Sequence, residues 1–522
     1  MRFLASVSLA VLVSACAASP PRVVAPTTAL GPSRALSGHV RYEARSATPT
    51  GVSTAIETRP ARYVTLVFVD AQGVERARGR SDGEGAYRVD VPADVARVRI
   101  LSEASVDGYE LSVSPDGRGR GTHVLERPLA TDATTLDVLA LDASPDGEGG
   151  ALHLLDTMLR GALAVHEWTG APLPPLYAYW ARGVTSTWSY YHGERPEGSG
   201  RFSLELMGGE RGARETTDTD EHDEPIVLHE VGHFVFDRLS SDSSMGGDHP
   251  GGTLIDPGLS WEEGRATWFA GVVLGSPRYR DTIGMEPRGQ LRVDRDLERR
   301  ESGPIGIGSE STVMEVLWDL SDGSPGLPDR DDDGVALAPA DLMRAMIDLG
   351  RTPGAYPCLA TFLTYLVERG IVGRPALADM LGRGGHPAGL LPPAGEVPWP
   401  LALALGAPVA GKIDGLTEPA PSGGPARPQN GLDAVRSYRL EIPVRGWLEL
   451  ELRIDGSGRA ADRQDLDLEL RSIRADLLGS SREEEKVERL GRFVEPGYYV
   501  VVVRDGGQGN RAGYRLTATM GR

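Results

Sequence analysis

Cysteine is almost missing from this sequence: its 522 residues include two, Cys16 and Cys358. A disulfide framework is therefore excluded as the source of stability. Positive charge is also short. Lys and Arg number 55 against 74 Asp and Glu, a formal charge of −19. A phosphate backbone would be repelled overall, so no nucleic-acid partner is expected. Beyond the first residues, no apolar run reaches the ~20 residues that a membrane-spanning helix needs. Core and punctuation are not lacking. Hydrophobic residues make up 40%, enough for real cores, while 66 Gly and 38 Pro imply many turns and several linkers. At roughly one domain per 150 residues, two to four domains are expected.

The opening, MRFLASVSLAVLVSAC, is a targeting segment: Arg2 is a short basic start, Phe3 to Val13 are apolar, and small residues follow. Val13-Ser14-Ala15-Cys16 resembles the lipobox of bacterial lipoproteins, whose Cys is acylated and becomes the mature N-terminus. The plainer reading is a secretory signal that contains a Cys. By the resemblance, Ala17 in place of an Asp implies outer-membrane sorting, on the periplasmic face or the cell surface. Several acyl chains on Cys16 would hold a membrane stably where one binds only marginally. Cys358 then has no intrachain partner and is expected as a buried small hydrophobe. Residues 17–36, rich in Pro, Ala, Ser and Thr, read as a flexible tether.

Residues 37–145 alternate as strands do. RYVTLVFVDAQG places Val64, Leu66 and Phe68 on one face, and SDGEGAYRVDVP continues through Tyr87, Val89 and Val91 at period two. The Asp82, Gly85, Tyr87 turn and strand resemble the small transthyretin-like, carboxypeptidase regulatory-like sandwich. From 150 to 402 the apolar spacing is mostly helical, beginning with Leu152, Leu155, Leu159 and Val165. His153 and His166 in that first helix read as surface or satisfied core residues. Short strands return over 408–522. There the Asp465 to Leu468 run and the Pro496, Gly497, Tyr499 strand entry resemble the bacterial pre-peptidase C-terminal domain.

The chemistry concentrates in IVLHEVGHFVFDRL, Ile226 to Leu239. The segment is apolar nearly all round, yet His229, Glu230 and His233 stand in its middle, where each polar group is costly unless paired. Four residues apart on a helix, His229 and His233 project from one face about a turn from each other. Two imidazoles at that spacing can bind one zinc, and Glu230 is placed to act as a base beside it. Gly232 is unfavourable in a helix by roughly 1 kcal/mol, so it points to close backbone approach. The competing reading is a buried helix with chance histidines.

The third ligand decides the class. A metzincin would place Gly at position 236 and His at 239; the chain has Phe236 and Leu239. Downstream, Glu263-Gly264-Arg265-Ala266 resembles the E-G-x-A helix of gluzincins, and the wider stretch a group of bacterial lipoprotein metallopeptidases. The resemblance implies Glu263 as third ligand, with Glu262, His249 and Asp248 as rivals. Asp256-Pro257 reads as the start of that helix, and Ser260 to Glu263 as a competing capping box. Where thermolysin-like enzymes often carry an Asp that orients a histidine, this chain has Thr267, and Asp237 is a candidate replacement.

The family also uses a downstream Tyr or His to stabilise the oxyanion. Tyr279 is the candidate here, with Tyr190, Tyr191 and His192 as rivals. Ser309 to Gly323 reads as a helix with Val313, Val316, Leu317 and Leu320 inward. Asp329 to Gly334, DRDDDG, resembles the start of a calcium loop, but Ala340 stands where the pattern wants Glu. A solvated acidic loop is the alternative to a structural calcium.

The expected architecture is a mainly α zincin-like metallopeptidase domain flanked by two small β-sandwiches. The expected activity is zinc-dependent hydrolysis of protein or peptide bonds by an endopeptidase, with Glu230 as general base. The alternative is a surface lipoprotein that keeps the metal fold without turnover, as a binding or scaffold module. Hydrolysis of another amide, such as a peptidoglycan cross-link, is a further possibility.

Overall fold

The computed structural model of the chain describes residues 33–521 except 185, 187, 194–200, 247–248, 250–251, 301–302, 331–333, 398, 415–430, 456–463, 484–485 and 507–510. The targeting segment and Cys16 lie outside the described residues. So does most of the expected tether, but Ser33 to Leu36 already belong to a strand, Ser33–Ala44. No helix among the described residues is long and apolar enough to cross a membrane.

Strand outweighs helix, 37% against 24%. The expectation of a mainly α zincin-like domain is thereby corrected. The seven helices among the described residues are α1 (Glu148–Thr169), α2 (Glu224–Leu239), α3 (Pro257–Leu274), α4 (Glu310–Asp319), α5 (Pro339–Arg351), α6 (Leu359–Glu368) and α7 (Arg374–Arg383). Between them run strands Leu176–Tyr179, Tyr190–His192, Phe202–Glu205, Arg278–Ile283 and Gln290–Asp296. These are three to seven residues long. Such short runs carry too few repeats for period-two alternation to stand out against helical spacing nearby.

An eight-stranded sheet crosses the junction near residue 148. Its order is Tyr190–His192, Phe202–Glu205, Leu176–Tyr179, Tyr109–Ser114, Val95–Val106, Val64–Asp70 and Glu75–Arg80, with Val124–Pro128 also paired to Val95–Val106. Leu176–Tyr179 runs parallel to both of its neighbours. A smaller sheet gathers Ser33–Ala44 with Val138–Ala140, Glu57–Pro60 and Ala86–Pro92. One continuous core runs from Leu36 through Phe68, Leu155, Phe234, Trp268 and Leu317 to Leu391. The helices therefore pack on the sheets in a shared interior.

The C-terminal residues form two facing sheets. One has Leu401–Leu403, Val435–Ile442, Gly497–Asp505, Leu466–Ser472 and Leu477–Ser481; the other has Val409–Asp414, Arg511–Met520, Gly446–Ile454 and Val487–Val494. Leu440, Leu468 and Val501 from the first meet Leu450 and Leu516 from the second in a core of their own, as alternating strands of a sandwich do. The outer face of the first sheet, through Val435, Val500 and Val502, packs on Tyr356, Cys358 and Ala360. Cys358 is fully buried there, as an apolar thiol.

Candidate metal centre

Two helices build the site, and their starts explain their positions. α2 begins after Asp223 with Pro225 in its first turn, where the missing N–H is no loss. α3 begins after Asp256, whose side chain accepts from the N–H groups of Gly258 and Leu259, with Pro257 at the first helical position. The start read from Asp256-Pro257 is therefore the one observed, and it puts Glu263 in the second turn. The cap is buried, and Oδ1 also accepts from Tyr356 Oη at 3.1 Å and Oδ2 from Ser437 Oγ at 3.1 Å. The C-terminal sandwich thus holds the start of the helix that presents Glu263.

Small residues set the approach of the helices. A Cβ on Gly232 of α2 would stand 3.1 Å from Cα of Ala266 on α3. A Cβ on Gly264 would stand 2.4 Å from Val313 of α4. The glycine of the histidine helix and the Gly and Ala of the following motif are thus packing residues that bring three backbones together.

At that crossing His229 Nε2 lies 3.2 Å from Glu263 Oε2, His233 Nε2 lies 3.3 Å from the same oxygen, and the two Nε2 atoms are 3.0 Å apart. A tetrahedral ion with bonds of about 2.0–2.1 Å separates its ligands by about 3.3 Å. Two imidazole nitrogens and a carboxylate oxygen at these spacings fit zinc, with a fourth direction left open. Glu262, one residue earlier, points elsewhere. Its Oε1 accepts from Ser243 N at 3.2 Å, and Oε2 pairs with the buried Arg265. His249 Nε2 is 3.5 Å from the other oxygen of Glu263, while its Nδ1 bonds Glu310 Oε1 at 2.8 Å. Asp248 lies outside the described residues.

His229 Nδ1 lies 3.0 Å from Thr267 Oγ1. A hydroxyl accepting from Nδ1–H keeps the Nε2 lone pair free for a metal. Thr267 itself fills the orienting position; Asp237 does not, since its carboxylate instead accepts from Tyr191 Oη at 2.6 Å. Glu230 is 7% exposed. Burial raises its pKa against the pull of His229 and His233, and its carboxylate accepts from the Tyr191 backbone N–H. A buried carboxylate with a raised pKa suits a proton shuttle.

Tyr279, on the Arg278–Ile283 strand, has its ring centre 5.8 Å from that of His229. Burial, with Glu230, Asp281 and Glu263 nearby, pushes its hydroxyl well above the usual phenol range, so it stays a donor. Among its rivals, Tyr190 Oη donates to Glu205 at 2.9 Å and His192 also faces Glu205, at 3.7 Å. Tyr191 is tied to Asp237 and packs on Phe234.

His153 is buried, with Nε2 3.0 Å from Glu224 Oε1, and His166 is exposed. Of the acidic loop read as a calcium start, Asp329 gathers with Glu298 and Asp322, while residues 331–333 lie outside the described residues. The sequence reading missed the His249–Glu310 pair. A lone His in a Gly-rich loop has no spacing signal, and 61 residues separate it from its partner.

No protein-family model matches the chain, and no curated protein matches it. Solved structures give partial likenesses. The pre-peptidase C-terminal domain of a Bacillus anthracis collagenase is 11% identical over 23% of this chain and 93% of its own, with a TM-score of 0.17. The Aeromonas hydrophila periplasmic inhibitor of g-type lysozyme is 9% identical over 23% of this chain and 96% of its own, with a TM-score of 0.15. At such scores neither likeness carries an assignment.

Proposed function

We propose that the chain is a zinc-dependent peptidase with a gluzincin-type ligand set, His229, His233 and Glu263. The observation that supports this is the triangle of donors at 3.0–3.3 Å with Glu230 beside it. Zinc, when bound, polarises a carbonyl and acidifies a water at neutral pH. Glu230 accepts the proton of the attacking water and returns it to the leaving nitrogen. Tyr279, held protonated, is the donor nominated for the developing oxyanion. Thr267 holds the His229 ring in the tautomer that offers Nε2. The Cys16 lipobox supplies the anchor that would place this activity at the cell envelope, acting on proteins or peptides there.

The test is a peptide-library digest with Glu230→Gln. Zinc content should stay near one equivalent while cleavage falls by about 10²–10⁴-fold. Wild-type protein that holds zinc but cleaves nothing would instead support a binding or scaffold role.

A further inference from the structure

A second group of potential metal donors gathers at the start of α2. Asp218, Asp220, Asp223 and Asp281 each place a carboxylate oxygen within 4.8 Å of the others. Asp220, Asp223 and Asp281 are buried, at 2%, 0% and 8% exposure. They come from three segments: the turn before α2, the residue at the start of α2, and the strand that carries Tyr279.

Their protein contacts satisfy the group only in part. Asp223 accepts from Thr282 N at 3.0 Å and Thr282 Oγ1 at 2.9 Å. Asp220 Oδ2 accepts from Ser189 Oγ and, at 3.3 Å, from Met207 N. Asp218 Oδ2 pairs with Arg292, which also lies 3.8 Å from Asp281 Oδ2. Among the described residues, one guanidinium faces the four carboxyl groups. In addition, Oδ1 of Asp281 and Oδ1 of Asp218 are buried with no hydrogen-bond partner among the described residues. Such atoms are costly unless something absent from the protein itself satisfies them.

We propose that Asp218, Asp220, Asp223 and Asp281 bind a calcium ion that ties the start of the histidine helix to the Tyr279 strand. All four donors are carboxylate oxygens, the choice of a hard cation, and no imidazole or thiolate among them favours zinc. Oxygens held by one calcium at about 2.3–2.6 Å can be no more than about 5.2 Å apart, a condition these four carboxylates meet. Magnesium would demand a tighter octahedron that usually keeps several waters. The ion supplies the positive charge the cluster lacks and crosslinks segments up to 63 positions apart in the chain, between Asp218 and Asp281. This site is independent of the zinc assignment, because it shares no donor with it.

The experiment uses zinc-loaded full-length protein freed of other metals on a chelating resin. Calcium chloride is titrated while melting temperature and terbium luminescence competition are followed. Calcium should raise the melting temperature by several degrees and displace terbium at one site. In Asp281→Asn both effects should weaken by ~10-fold or more in calcium concentration, because a donor charge is lost. Asp218→Asn, at the most solvent-accessible of the four, is the second variant if the first does not fold. No calcium effect on wild-type protein would overturn the proposal, as would magnesium acting equally at equal concentration. A calcium response unchanged in a folded variant would place the ion elsewhere and equally overturn it. Zinc content should not change in any arm.

Discussion

Replacing Gly232 by Ala sets two opposing effects against each other. In a helix interior Ala is favoured over Gly by ~0.5–1 kcal/mol. Here the added methyl would meet Cα of Ala266 at 3.1 Å and its Cβ and carbonyl oxygen at 3.3 Å. Comfortable carbon contacts lie at about 3.5–4.0 Å, so α3 must retreat by a few tenths of an ångström. Overpacking of this kind costs about 1–3 kcal/mol, which leaves a net loss of roughly 0–2.5 kcal/mol after the propensity gain. Gly382 on α7 is the control, since a Cβ there meets nothing within 4 Å. The same substitution there should be neutral or stabilising. Urea unfolding of the two variants therefore isolates the packing effect, about 1–3 kcal/mol between them. The retreat of α3 also moves Glu263 from the two histidines, so zinc affinity should fall in Gly232→Ala and not in Gly382→Ala. If Gly232→Ala is stabilised as much as the control and keeps its zinc affinity, the close-approach reasoning is wrong.

Glu263→Ala should abolish zinc binding, measured as metal content after gel filtration. Glu262→Ala should keep zinc but lose about 3–5 kcal/mol of stability, because Arg265 is left buried without its carboxylate; loss of zinc from Glu262→Ala alone would reverse the ligand assignment. Asp256→Ala should lower stability by about 2 kcal/mol, through a lost cap and the stranded Ser437 and Tyr356 hydroxyls; an unchanged urea midpoint would count against that cap. pH offers another check on the aspartate cluster. Burial raises the pKa of all four carboxyls, Asp281 to about 7, with Asp218 adding to the effect and Arg292 opposing it. Without calcium the folded state holds protons that the unfolded chain releases near pH 4. For Asp281 the stabilising effect of the proton is then full in acid and is lost as pH rises through about 7. Saturating calcium should remove that decline and bind more weakly as pH falls below 7. A calcium-free melting temperature that climbs steadily from pH 5.5 to 8 would contradict this assignment.

Much of the candidate metal centre was legible from residue order because it depends on local geometry. Two histidines four apart on a helix must share a face, an Asp-Pro pair starts a helix, and a glycine inside an apolar helix marks a close neighbour. His229, His233 and Gly232 stand where those rules put them, and the helix that carries Glu263 starts at the Asp-Pro pair. The strands of the C-terminal sandwich were legible for the same reason, since alternation repeats often enough there to be read. The mainly helical expectation for the middle of the chain failed because strands such as Leu176–Tyr179 are defined by their sheet partners and not by their own pattern.

The chain order alone determined which side chains could face one another within a helix turn and where that helix begins. Only the folded structure decided between Glu262 and Glu263, since neighbours on a helix point about 100° apart and the direction of the partner helix selects one of them. Only it assembled Asp218, Asp220, Asp223 and Asp281, because no period links residues on a turn, a helix start and a distant strand. Like-charged side chains do not gather in a dry interior by themselves; the surrounding core holds them there, and that is a property of packing.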